Sequence, residues 1–105
     1  MPYKIEASQL LIKAFIGEQQ YNMMIDTGSP VTVVHTDLIK NLENEFLRFK
    51  LEGENVELKA YGQDLSLLSD MGVAVILGGD FLRQYKMIIN PEEEVLLFQK
   101  YHTGR

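Results

Sequence analysis

The run Met23-Met24-Ile25-Asp26-Thr27-Gly28-Ser29 places a carboxylate, a small hydroxyl and a glycine at the end of an apolar stretch. Burying a lone charge inside such a stretch costs on the order of several kcal/mol, so Asp26 belongs at the rim of a core rather than within it. Gly28 lets the backbone turn sharply at that point. A carboxylate held on a rigid rim is equipped for general acid or general base work. The same residues also suit an ordinary strand end followed by an Asp-Gly-type turn.

A second apolar run, Val73-Ala74-Val75-Ile76-Leu77-Gly78-Gly79-Asp80-Phe81-Leu82, also ends in glycine and leads into a short helix. Together the two runs resemble aspartic proteases of the retropepsin type. In that family a hydrophobic-hydrophobic-D-T-G-A/S run is followed, later in the domain, by a hydrophobic-hydrophobic-Gly run that packs against it. Ile76 to Leu82 is similar to the I-L-G-x-D-F-L segment of retroelement proteases. Gly53-Glu54-Asn55 with Tyr61-Gly62 sits where those proteases carry a flap. Ile88-Ile89-Asn90-Pro91 and Val95-Leu96-Leu97-Phe98 are similar to their closing hairpin. The resemblance runs through nearly the whole chain, with its motifs in order.

That resemblance implies an aspartic endopeptidase with Asp26 as its catalytic residue and no metal or other cofactor. Peptide hydrolysis by carboxyl groups alone needs two, one ionised to take a proton from water and one protonated to polarise the carbonyl. Carboxyls so close share a proton and titrate as a pair. Only one D-T-G is present, because Leu77-Gly78-Gly79-Asp80 has its Asp after the glycines and suits a helix cap. The second carboxylate is therefore expected from a second copy, in a two-fold homodimer. By the same resemblance Thr27 hydrogen-bonds its mate, and Gly28 lets the substrate backbone approach. Ser29 hydrogen-bonds the ionised dyad and makes it more acidic, while Leu77 and Gly78 form the supporting second motif. The hairpin from Phe46 to Tyr61, with Glu52-Gly53-Glu54-Asn55 at its tip, is the expected flap. Substrate would lie as an added strand, with apolar pockets lined by Val31, Leu51 and Ile76, and would be an extended, mainly hydrophobic peptide or polyprotein segment. Glu52 and Glu54 would disfavour acidic substrates. One family feature is missing: an ion pair formed in many retroviral enzymes maps to Pro30 and Gly79. The alternative function is a silent binding or dimerisation module that kept the fold.

The elements that must position these residues are short. Lys4 to Ile16 reads as extended, Gly17-Glu18 as a turn, and Gln20 to Ile25 as the strand delivering Asp26. Val31 to Val34 predicts another strand, and Thr36-Asp37 the cap of a helical turn through Leu38, Ile39 and Leu42. Phe46–Leu51 and Val56–Tyr61 flank a hairpin turn, and Leu65 to Leu68 reads as a further strand. Asp80 is expected to cap a helix through Phe81, Leu82 and Tyr85, with Arg83 and Lys86 towards its negative end. Met87–Ile89 and Val95–Gln99 flank a turn whose Glu92-Glu93-Glu94 is solvated. The resulting fold class is mostly β: a small closed barrel of the retropepsin (acid protease) type with one short C-terminal helix, residues 1–105 forming one domain.

Composition narrows the rest. Apolar residues make up 46% of the 105, charged ones 24%, and the net charge is -5 with basic residues scattered, a poor match to nucleic acid. The absence of Cys removes disulfides, thiolate metal sites and a Cys nucleophile. His35 and His102 lack metal-site spacing and are expected at the surface. No apolar run reaches the roughly 18 residues of a membrane span, and the N-terminus lacks a signal-peptide core, so an intracellular setting without membrane contact is expected.

Overall fold

A computed structural model describes residues 3–6, 9–93 and 95–101. Pro2, Glu94 and His102 lie outside the described residues. Alternation between apolar and polar positions sets most of the architecture. Strand β2 (Gln9–Ile16) buries Ile12 and Ala14 and exposes Lys13 and Phe15, and it turns at Gly17-Glu18 into β3 (Gln19–Ile25). The antiparallel register pairs Ile12 with Met23 and Leu11 with Met24, so neighbouring pairs face opposite sides of the sheet. A short β1 (Lys4–Glu6) pairs with the start of β2 only, from Gln9 to Leu11.

Strand β4 (Thr32–His35) follows the Asp26 loop and leads into one helical turn, α1 (Thr36–Ile39). That turn is preceded by His35 and has no side-chain cap, so Thr36 and Asp37 lie inside it, and it ends at Ile39, short of Leu42. Strands β5 (Phe46–Leu51) and β6 (Glu54–Gln63) form a hairpin in which Leu51 pairs directly with Glu54. The loop is therefore Glu52-Gly53 alone, with φ of 51° and 87°. Positive φ at both residues gives the turn that follows strand twist, and Gly53 accepts it without a Cβ penalty.

Leu65 to Leu68 is not a strand. Ser66–Met71 forms a 3-10 turn, because the Asp64 carboxylate accepts the Ser66 N–H at 2.9 Å and also its hydroxyl, while Leu68 N donates to Leu65 O. His35 Nδ1 accepts the Leu65 N–H at 2.9 Å and fastens the start of this segment to β4. Local side-chain bonds of this kind compete with ladder formation. Strand β7 (Val73–Leu77) then enters the sheet beside β3, and α2 (Gly79–Leu82) follows. Tyr85 and Lys86 are not helical: they open β8 (Tyr85–Asn90), which pairs with β9 (Val95–Lys100) in a separate two-stranded sheet.

The main sheet has the order β1-β2-β3-β7-β4-β6-β5 and is curled, with β2 and β5 approaching within 8 Å at their Cα atoms. It is a half-barrel rather than the closed barrel expected. Strand β5 pairs with β6 alone, and no ladder joins it to β1 or β2 among the described residues. The concave side holds the core, centred on fully buried Phe81, whose ring meets Phe49, Tyr85 and Phe98 at 6.4, 5.2 and 5.6 Å. Leu11, Met24 and Val73 form a second cluster on the other side, covered by Leu68, Met71 and Ile76.

Candidate active site

Asp26 stands immediately beyond β3, which runs parallel to β7 with Ile25 opposite Leu77. Its backbone N–H donates to Leu77 O at 3.0 Å, so the central strand of the second motif fixes where the carboxylate begins. The loop that follows is closed by its own bonds. Gly28 N donates to Asp26 Oδ1 at 2.9 Å, and Ser29 N donates to Asp26 O at 3.2 Å. The carboxylate is half-buried, while Thr27 and Gly28 are exposed.

The two motif loops are laced together by backbone. Gly79 N donates to Ser29 O at 2.7 Å, and Asp80 N to Pro30 O at 3.1 Å. These are the positions from which the retroviral ion pair is missing, and main-chain hydrogen bonds join them instead. Gly78 is required by this contact: a Cβ there would lie 2.3 Å from Val31 O and 2.6 Å from Ser29 O. No side chain fits between the loops.

Asp80 is a brace between the loops rather than the cap of its own helix, which Gly78 precedes without a side-chain bond. One carboxylate oxygen accepts the Thr32 N–H at 3.0 Å, and the other accepts the Thr32 hydroxyl and the Phe81 N–H, both at 2.8 Å. Thr32 is fully buried and its oxygen receives the Gly78 N–H at 3.4 Å. The sequence held a signal for this pairing. A Thr inside the β-branched run Val31 to Val34 needs a buried partner, and a charged acceptor satisfies both of its donors.

Other expected site residues stand differently. The Ser29 hydroxyl donates to Val31 O at 2.7 Å, so within one chain it stiffens the loop and does not hydrogen-bond Asp26. Val31 and Ile76 are half-buried, Ile76 beside the second cluster. Leu51 is 1% exposed and belongs to the main core, so it is not the wall of an open pocket. The tip residues Glu52, Gly53, Glu54 and Asn55 are exposed, but the hairpin lies against the chain's own C-terminal sheet, where Phe98 N donates to Glu52 Oε1 at 3.3 Å. Cavities of about 700 and 360 Å³ do not include Asp26; of the expected site residues only Asn55 lines the larger one, and none lines the smaller. Among the described residues no three His, Asp or Glu side chains gather to hold a metal, and no helix is long and apolar enough to cross a membrane.

No protein-family model and no curated protein sequence matches the chain. Solved structures do. The retroviral protease-like domain of Ddi1 from Leishmania major superposes with a TM-score of 0.63 at 13% identity, over 88% of this chain and 87% of that one. A retropepsin-like aspartic protease from Rickettsia conorii superposes with a TM-score of 0.58 at 16% identity, over 95% of this chain and 87% of that one. The fold is therefore retropepsin-like, a curled, mostly β half-barrel built around two packed motif loops.

Proposed function

We propose that this chain is one half of a homodimeric aspartic endopeptidase. The observation that carries the reading is Asp26 itself: one half-buried carboxylate on a loop held by Leu77, Gly78 and Gly79, in a retropepsin-like fold, with Thr27 and Gly28 open beside it. A single carboxylate cannot both take a proton from water and present one to a carbonyl, so a second copy completes the site about a two-fold axis. Thr27 then meets its mate and holds the two carboxyls near coplanar. With one carboxyl ionised and one protonated, the pair activates a water and polarises the scissile carbonyl. An extended peptide lies as an added strand along Gly28, with Val31 and Ile76 beneath its apolar side chains, and the tip at Glu52 to Asn55 closes over it.

A surface suited to the dimer is the outer face of the β8–β9 sheet. Ile88 and Leu97 are cross-strand neighbours there, 39% and 50% exposed, and Tyr101 is exposed nearby.

The second reading, a silent binding or dimerisation module, is favoured by the hairpin: its inner face is core and its tip touches β9, which leaves little of it free to open. One experiment separates the two. The purified chain is incubated with an unfolded protein from mildly acidic to neutral pH and compared with Asp26→Asn. Cleavage that disappears in the variant and is blocked by a statine peptide is the expected result. Dimers without cleavage establish the silent module, and cleavage that survives in the variant overturns the catalytic role of Asp26.

A further inference from the structure

A groove of about 700 Å³ runs between β2 and the β5–β6 hairpin, lined by Asn55 of the hairpin tip but not by Asp26 or its loop. Its volume is within the roughly 300–1,000 Å³ typical of sites that enclose a ligand. Its lining includes the buried side chains of Ala14, Phe49 and Val56 together with exposed Lys13, Phe15 and Lys50. Phe15 is 56% exposed, so its ring is open to an apolar group in the groove.

Two features give this groove a chemical preference. The first is charge. In a chain of net charge -5, three of the ten Lys and Arg residues line it. Arg48 is already engaged, 2.7 Å from Glu57 and 3.9 Å from Glu43. Lys13 and Lys50 have no ion-pair partner among the described residues. The second feature is backbone. Among the described residues β5 pairs with β6 only and β2 has no β1 partner after Leu11, so the edges of β2 from Ile12 to Ile16 and of β5 have no ladder partner beside the groove.

We propose that this groove docks an extended acidic peptide, whose backbone pairs with the free strand edge while its carboxylates meet Lys13 and Lys50 and an apolar side chain covers Phe15. A peptide fits better than a nucleic acid. Two unpaired cations with Glu57 alongside make a weak phosphate track, whereas alternating donors and acceptors on a strand edge match another backbone. The docking does not use Asp26 or the chemistry proposed for it. The competing explanation is that lysines here only guard an exposed edge against strand pairing between copies.

Fluorescence anisotropy on the full chain tests the proposal with labelled peptides of alternating Glu and Val, Gln and Val, or Lys and Val, and with a labelled oligothymidylate. The Glu-Val peptide is expected to bind best and to weaken as salt rises. Lys13→Glu with Lys50→Glu is expected to reduce its affinity at least about tenfold, while Lys40→Glu, away from the groove, leaves it unchanged. Both lysines are exposed, so the double variant is expected to melt with the parent; Lys13→Gln with Lys50→Gln, expected to weaken binding less, serves if it does not. Equal binding of all three peptides, preference for the oligothymidylate, or full affinity in the double variant overturns the proposal. Aggregation of the double variant with peptide binding intact assigns the lysines to edge protection alone.

Discussion

Gly78 and Asp80 hold the Asp26 loop in place, and Tyr85 packs in the main core. Gly78 is the tightest point, since any Cβ would press on two carbonyl oxygens at once. Gly78→Ala is therefore expected to cost about 3 kcal/mol or more of stability, read as a lower urea midpoint at an unchanged slope. A variant as stable as the parent would show that the two loops are not in contact. Tyr85 is the opposite case. It is buried with its ring stacked on Phe81, yet its hydroxyl has no hydrogen-bond partner among the described residues. Tyr85→Phe removes that unmet group and is expected to leave stability equal or raised by up to about 1 kcal/mol at neutral pH. Burial, with the Glu54 charge adding to it, also holds the phenol above its ordinary pKa of 10.0. The folded state thus resists ionisation that the unfolded chain undergoes freely, so the Tyr85 contribution is complete below pH 10 and is lost as pH rises past it. Tyr85→Phe is expected to soften the alkaline fall in denaturant midpoint relative to the parent, and identical alkaline limbs would refute it.

At the scale of elements, the β5–β6 hairpin departs furthest from expectation. As a flap it would stand clear of the chain, with Leu51 on an open pocket wall. Instead its alternation is regular to the end, with Leu51 and Val56 each 1% exposed and Glu52 bonded to β9. Leu51→Ala is expected to destabilise by about 2–5 kcal/mol, as core truncations do. If Leu51 only lined a pocket, the same change would alter substrate preference and leave the urea midpoint near the parent value. The β8–β9 sheet has the complementary character, anchored by buried Tyr85 and Leu96 on its inner face and with Ile88 and Leu97 exposed on its outer one. If the proposed dimer forms, that outer face is the one expected to meet a second chain.

For the whole molecule, the proposed mechanism turns on the balance between one chain and two. If the active species is a dimer, its stability and activity depend on protein concentration by mass action. Specific peptidase activity is expected to fall on dilution and to recover on concentration, in step with the dimer fraction seen by analytical ultracentrifugation. Activity strictly proportional to protein over a hundredfold range, with monomers throughout, would exclude the half-site mechanism.

Read along the chain, the residues settle the places where local chemistry leaves little choice. Asp26-Thr27-Gly28 at the end of an apolar strand, the apolar-to-glycine run at Ile76-Leu77-Gly78, and period-two alternation along β2, β5 and β6 were all legible, because each depends on a few adjacent residues. Tertiary structure decided what depends on distant partners. Leu65 to Leu68 became a 3-10 turn once Asp64 and His35 supplied its hydrogen bonds. Asp80 became a brace because Thr32, 48 positions away, was brought beside it. Leu51 became core, and the half-barrel stayed open, because the curl of seven strands set which faces and edges meet. Neighbours along a chain constrain its torsions, but burial and hydrogen-bond partners belong to neighbours in space.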